Sequence, residues 1–123
     1  MTKTELENRT KEFALCTIEF VRGLPKNAVS QVVGRQLLKA ATSVGANYRE
    51  ANRAESRNDF LHKISIVEKE AAETDYWLEL LLESSASSEI QIRPLMQEST
   101  ELLKIFTFIR RTLKTKTQGL LLV

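Results

Sequence analysis

Residues 57–83, RNDFLHKISIVEKEAAETDYWLELLLE, decide the fold of this chain. Apolar and small residues recur there at alternating spacings of four and three positions: Phe60, Ile64, Val67, Ala71, Thr74, Leu78 and Leu81. This seven-residue repeat places them on one stripe of an α-helix, as in a helix that packs against others. Ser56 followed by Asp59 resembles a capping box in which Asp replaces the preferred Glu, so we predict that the helix begins at Arg57.

Three other stretches carry helical stripes of the same kind. Residues 4–22 form the first predicted helix, with a stripe of Leu6, Thr10, Phe13, Thr17, Phe20 and Leu24. Residues 28–54 form the second, with Val29, Val33, Leu37, Ala40, Val44, Tyr48 and Ala51. Residues 89–115 form the fourth, with Ile92, Leu95, Ser99, Leu102, Phe106, Ile109 and Leu113. The second stripe is rich in small residues, and Gly34 and Gly45 indicate a close approach of a neighbouring helix.

Breaks at residues 23–27, 56–58 and 84–88 separate the four stretches, with Gly23 as a C-cap and Asn27 as an N-cap. Pro94 indicates that the regular part of the fourth helix starts near it. Four amphipathic helices with short connections pack as an all-α, up-down-up-down antiparallel four-helix bundle. We predict one domain over residues 1–123, with an apolar tail at 118–123 that is disordered or docked on a neighbour.

The bulk composition agrees with a helical domain of this size. The chain has 123 residues, 42% of them hydrophobic, with only 4 Gly and 2 Pro, which argues against turn-rich β and disordered classes. A single cysteine excludes an intrachain disulfide. Because the first residues lack the apolar core of a signal peptide and no stretch is long enough to span a membrane, we expect a cytoplasmic protein without a membrane partner.

Charge is sorted along the chain, although the net charge is only +2. Residues 26–57 carry a net +4, residues 58–83 a net −5, and residues 104–123 a net +5 with no acid at all. One interpretation is charge complementarity between neighbouring helices. The other is a phosphate-binding surface of basic residues. Its candidates are Arg35, Lys39, Arg49, Arg53, Arg57, Arg110, Arg111, Lys114 and Lys116.

Residues suited to catalysis do not form a recognisable site in this sequence. His62 is the only histidine and Cys16 the only cysteine, whereas a zinc site needs three or four ligands. Cys16 has no histidine or basic neighbour to activate it, and we expect it to fill the core or an interface. No nucleotide-binding fingerprint is present. We therefore predict no enzyme, no catalytic residues, no metal and no cofactor.

A polar stripe runs beside the apolar stripe of the second helix. It consists of Ser43, Asn47 and Glu50, and Glu70 and Thr74 on the third helix are suitable hydrogen-bond partners. Buried polar groups need partners, so we predict a structural polar network that sets the helix register. A binding cleft is the alternative.

Several large apolar residues fall outside the stripes and cannot all face one small core. They are Leu15, Leu38, Ile66, Tyr76, Trp77, Leu80, Ile105 and Phe108. Contiguous apolar patches of this kind mark interfaces, so we expect the protein to associate with itself.

Two runs of the sequence carry a family resemblance. The first is residues 41–51, ATSVGANYREA. The second is residues 59–63, DFLHK, followed by Lys69-Glu70, Glu73-Thr74 and Trp77-Leu78. In this order they resemble the bacterial four helix bundle protein family, whose members are encoded in intervening sequences of large-subunit ribosomal RNA genes. The accessory protein of diversity-generating retroelements is distantly similar.

The resemblance implies a homopentamer in which five bundles form a ring, in a nucleic-acid context and without a settled activity. Together with the basic residues, it leads to the hypothesis of a non-enzymatic ring that binds structured RNA or DNA electrostatically. The alternative is a scaffold that assembles through apolar helix faces and recruits a protein partner without nucleic acid.

Overall fold

Four α-helices make up the chain in a computed structural model that describes the backbone of residues 1–84 and 89–122, and the side chains of residues 1–84 and 89–115. The helices are α1 (Lys3–Arg22), α2 (Ala28–Ala51), α3 (Arg57–Glu83) and α4 (Glu89–Leu122). Each helix packs on its neighbours in the chain and α1 closes the bundle against α4. The predicted all-α four-helix bundle is confirmed.

One hydrophobic core lies along the bundle axis and is built from the predicted stripes. All α3 stripe residues from Ile64 to Leu81 are buried, and Phe60 is half-buried. In α4 the stripe is buried from Ile92 to Phe106, and Phe106 packs its ring edge-on against Tyr48 of α2 with centroids 5.3 Å apart. The heptad spacing predicted these burials because a period of 3.5 keeps the same face toward the axis over many turns.

The first turns of α2 differ from the prediction. Val29 is exposed and Val33 only half-buried, whereas Ser30 and Gly34 are the buried positions. The reason is the close approach of the end of α1 and the residues after it, because a Cβ at Gly34 would lie 3.0 Å from Cδ1 of Leu24 and 3.7 Å from Cγ1 of Val21. Small residues face this end of α1, and the larger valines turn outward.

Side-chain caps fix the helix starts. The backbone N–H of Ser30 donates to Oδ1 of Asn27 (2.9 Å), as predicted. At α3 the N–H of Asp59 donates to Oγ of Ser56 (3.0 Å), but the Asp59 carboxylate accepts from the N–H of Glu55 (3.3 Å), one residue earlier than in a capping box. The shorter Asp side chain explains this shifted partner.

The fourth helix is longer than predicted at its C-terminal end. It includes Pro94 as an internal residue and continues to Leu122, beyond the predicted end at residue 115. Pro94 removes one hydrogen bond, that to the carbonyl of Ile90, and Ile90 is 86% exposed so that water can replace the missing donor. The side chains of the predicted apolar tail at 118–123 lie outside the described residues.

Candidate nucleic-acid interface

Three arginines lie at the connection between α2 and α3. Arg49 is in the last turn of α2, Arg53 follows the C-cap residue Asn52, and Arg57 is the first residue of α3. All three are exposed, and none forms an ion pair with any residue that the structure describes. We call them the arginine ridge. Arg49 suits a helix C-terminus, but Arg57 at a helix N-terminus opposes the helix dipole, so helix stability does not explain its charge.

The backbone that carries the arginine ridge is held by contacts to two other helices. The side-chain amide of Asn52 donates to the Glu7 carboxylate of α1 (2.8 Å). One turn earlier, Tyr48 is 4% exposed and contacts Phe106 of α4. Burial raises the pKa of the Tyr48 hydroxyl. The short connection is therefore a rigid support for side chains that point to solvent.

The basic residues of α4 divide into two groups. Nε of Arg110 donates to Oε1 of Glu68 on α3 (2.5 Å), and both side chains are about three-quarters buried, being 24% and 22% exposed. Burial alone would raise the pKa of the Glu68 carboxyl, but hydrogen bonds from Arg110 and Thr107 and the nearby arginine charges outweigh burial and lower it. Arg110 is thus neutralised within the bundle and does not belong to a phosphate-binding set.

The other predicted bases of α4 face solvent where they are described. Arg111 and Lys114 are exposed and form no ion pair with a described residue. Lys116 lies outside the described side chains. Lys104, which is not among the predicted bases, is exposed one turn before Phe108. The signal that could have found it is the lack of any acid after Glu101 in the chain.

Arg35 and Lys39 lie apart from the arginine ridge. Arg35 lines a surface cavity of about 450 Å³ near the connection of α1 and α2, at the opposite end of the bundle. The rise of an α-helix places it about 21 Å along α2 from Arg49. Lys39 is exposed, and its charge reaches Glu70 of α3. The structure therefore does not bring all nine predicted bases onto one surface.

The predicted polar network between α2 and α3 is not formed by direct hydrogen bonds among the described residues. The hydroxyl of Ser43 donates to the carbonyl of Lys39 (2.7 Å), and the Asn47 amide donates to the carbonyl of Ser43 (2.8 Å). The hydroxyl of Thr74 likewise donates to the carbonyl of Glu70 (2.8 Å). Each of these side chains donates its hydrogen bond to a backbone carbonyl one turn earlier in its own helix. This is a common arrangement for Ser and Thr within helices.

Two carboxyls of α3 have a raised pKa, in contrast to Glu68. Burial raises the pKa of Glu70, and the neighbouring charge of Glu73 raises it further. Burial also raises the pKa of Asp75, although this carboxylate accepts a hydrogen bond from the hydroxyl of Ser99 on α4. Glu50, the remaining network candidate, is exposed. Each of these carboxylates therefore has different surroundings.

His62 and Cys16 are both exposed. Of the two roles expected for Cys16, filling the core is wrong for the single chain, because Phe13 and Thr17 occupy the buried face of α1 and turn Cys16 to the rim of a groove beside α4.

In the described part of the chain, no group of three or more His, Cys, Asp and Glu side chains could hold a metal ion. No described helix is long and apolar enough to cross a bilayer.

None of the apolar residues outside the stripes is fully buried in the single chain, although Trp77 and Ile105 pack against the core. Leu15, Tyr76 and Phe108 are exposed by 45%, 52% and 70%. Tyr76 packs edge-on against Trp77 with ring centroids 5.0 Å apart. Val32, which lies outside the predicted stripe of α2, is also exposed. The remaining members of the predicted set are half-buried: Leu38, Ile66, Trp77, Leu80 and Ile105.

Comparison with known proteins identifies the family. Residues 2–107 match the family described as 23S rRNA-intervening sequence protein. A similar structure is the crystal structure, at 1.70 Å resolution, of a protein of unknown function from the S23 ribosomal protein family of Bacteroides thetaiotaomicron. It is 36% identical, with a TM-score of 0.80, over 90% of this chain and 99% of that chain. No curated protein matches. The match covers α1, α2, α3 and the first half of α4, and the chain therefore belongs to the 23S rRNA-intervening sequence protein family.

Proposed function

We propose that this protein is a cytoplasmic, non-enzymatic homo-oligomer that binds structured RNA or DNA electrostatically. The observation that carries the proposal is the arginine ridge, whose three cations face solvent without an intramolecular counter-ion among the described residues. Phosphates are the matching partners, because contacts of this type neutralise backbone charge and release counterions. Such contacts hold the nucleic acid in position and do not read its sequence.

The homopentameric ring that the resemblance implies strengthens this proposal. A ridge of three arginines on one subunit is a modest charge, comparable with many protein surfaces. Repeated around a ring, the same ridge becomes a field of one sign that a long or folded nucleic acid can contact at several points. Multivalent contact of this kind raises affinity without any new type of interaction.

The test is fluorescence anisotropy with a structured RNA and a DNA duplex over a salt series, on protein whose mass is known from light scattering. We expect affinity to fall log-linearly with salt. In the Arg53→Gln/Arg57→Gln variant, the slope should fall by about one for each phosphate that the protein no longer neutralises. The matched control is Arg35→Gln/Lys39→Gln, which removes the same charge from α2 at a distance from the ridge. Equal losses of affinity in both variants would show a net-charge effect and contradict the ridge.

A protein scaffold is the second candidate, and exposed Tyr76 on the acidic helix α3 supports it. An exposed aromatic residue suits a protein partner, and the net negative charge of residues 58–83 disfavours phosphate. This alternative expects an intact oligomer that binds none of the nucleic acids even at low salt. Binding that is steep in salt and weakened by the ridge substitutions would reject it.

A further inference from the structure

Phe108 is an exposed aromatic side chain in the middle of a basic helix. Its side chain is 70% exposed, although it is followed along α4 by residues that still pack on the bundle. Lys104 lies one turn before it and Arg111 one turn after it, and both are exposed. Together with Leu103 and Thr107, these residues line a shallow surface cavity of about 420 Å³. We call this surface the Phe108 patch.

Both charged residues that line the Phe108 patch are cations, and the nearest acid on the same face of α4 is Glu101, one turn before Lys104. The chain contains no acid after Glu101, and Glu68, the α3 carboxylate that faces this part of α4, is already occupied by Arg110. Lys104 and Arg111 form no ion pair with a described residue and flank the ring on either side. An anionic ligand with a flat apolar component is complementary to this arrangement, because the cations attract its charge and the ring offers a π-face.

The helix that carries the patch is firmly placed. On the side facing α3, Nε of Arg110 donates a hydrogen bond to Glu68. On the side facing the core, Phe106 is fully buried against Tyr48. The backbone on either side of Phe108 is therefore fixed, and it does not need to be ordered at a large entropic cost when a ligand binds.

From this geometry, and resting on the proposed function, we propose that the Phe108 patch binds unpaired nucleotides of a nucleic-acid strand. A base stacks on the Phe108 ring while Lys104 and Arg111 contact the flanking phosphates. Stacking on aromatic side chains between cations is the chemistry by which proteins bind single strands, and it tolerates any base. The arginine ridge then binds backbone phosphates of paired and unpaired regions alike, and the Phe108 patch selects regions where bases are unstacked.

A second copy of this chain is a less suitable occupant of the patch. A neighbouring subunit would have to bring its own carboxylates to both Lys104 and Arg111, whereas a nucleotide strand brings a phosphate for each.

The experiment measures binding of a short oligouridylate that carries one 2-aminopurine, with a DNA duplex as the comparison. We expect the 2-aminopurine fluorescence to be quenched on binding to the wild-type protein, through stacking on the ring. Phe108→Ala should abolish the quenching and weaken binding of the single strand by about 5-fold to 150-fold, the effect of removing one base–aromatic stack. Duplex affinity should change less than about twofold, because a paired base offers no free face.

Three variants separate stacking from other causes. Phe108→Tyr should keep both affinity and quenching, because the ring remains. Tyr76→Ala removes an exposed aromatic from acidic α3 and should change neither. Lys104→Gln/Arg111→Gln should lower the salt slope for the single strand by about two while some quenching persists.

The outcomes distinguish this inference from the proposed function. If the ridge variant no longer binds the duplex but Phe108→Ala binds the single strand like wild type, the proposed function stands and the patch is refuted. If wild-type protein binds neither nucleic acid, both are refuted. If Phe108→Ala changes the mass measured by light scattering, Phe108 is a contact between copies and the patch is refuted in favour of an assembly role.

Discussion

Substituting Gly45 tests a close contact between α1 and α2. An ideal Cβ at Gly45 would lie 3.2 Å from Oγ1, 3.4 Å from Cβ and 3.5 Å from the carbonyl carbon of Thr10. Thr10 is fully buried and its hydroxyl donates to the carbonyls of Leu6 and Glu7, both at 3.0 Å. It cannot rotate away without breaking these bonds, so α1 itself must shift.

Gly34 provides a matched comparison on the same helix. A Cβ there would meet Cδ1 of Leu24 at 3.0 Å and Cγ1 of Val21 at 3.7 Å. Both are ends of flexible, half-buried side chains near the connection of α1 and α2, and they can move. Ala in a helix is favoured over Gly by about 1 kcal/mol. Gly34→Ala should therefore raise the free energy of unfolding by about 0.5 kcal/mol, after a small repacking cost.

For Gly45→Ala the repacking cost exceeds the gain in helix propensity. Overpacking of a rigid site costs about 1 to 3 kcal/mol, so we expect the free energy of unfolding to fall by about 1 kcal/mol net. The assay is urea unfolding followed by circular dichroism, at one protein concentration so that association does not shift the midpoint. In a Thr10→Ala background, which removes the hydroxyl at 3.2 Å, the decrease should become smaller. A Gly45→Ala protein as stable as Gly34→Ala would show that Thr10 is not a rigid obstacle.

Three further predictions concern the core and the charged contacts. Phe106→Ala removes a fully buried ring and its edge contact with Tyr48. It should lower the free energy of unfolding, measured by urea titration, by about 3 to 5 kcal/mol. A decrease under about 1 kcal/mol would show that the surrounding side chains collapse to fill the cavity. A double-mutant cycle on Glu68 and Arg110 should give a coupling free energy of about 1 to 2 kcal/mol at neutral pH. Because the pKa of Glu68 is lowered in the folded state, this coupling should vanish as the pH falls through that pKa. A coupling that does not depend on pH would contradict the assignment. Asp75→Asn should be more stable than wild type at neutral pH, because burial raises the pKa of Asp75 and penalises its charged form. This difference in stability should shrink as the pH falls through the raised pKa. Calorimetry that shows the difference growing would refute the predicted direction.

Much of the fold was predictable because its signals are local. The stripes of α3 and α4 follow a regular heptad, and the residues that they place inside are buried from Ile64 to Leu81 and from Ile92 to Phe106. The α2 start was predicted because Asn27 needs only its own next turn to act as a cap. The buried positions in the first turns of α2 were not predicted, because the outward orientation of Val29 depends on how closely α1 approaches α2.

The candidate site was predicted less completely. Nine bases were selected by charge alone, but charge alone does not show which of them already has a partner. Arg110 is paired with Glu68, a residue 42 positions away, and Arg35 lies at the other end of the bundle from the arginine ridge. The polar network failed for a related reason, since Ser43 and Asn47 find backbone partners one turn back in their own helix.

The number of helices, the core faces of α3 and α4 and the sorting of charge along the chain follow from the amino-acid sequence alone. These properties depend on residue spacing within a single helix, where neighbours are set by the 3.6-residue turn. The packing of the helices decides instead which cations lack an intramolecular partner. It also decides that Phe108 is exposed between two of them. The axial register of α3 against α4 places Arg110 on Glu68 and leaves Lys104 and Arg111 facing solvent. Register is set by packing of distant parts of the chain, so no local pattern contains it.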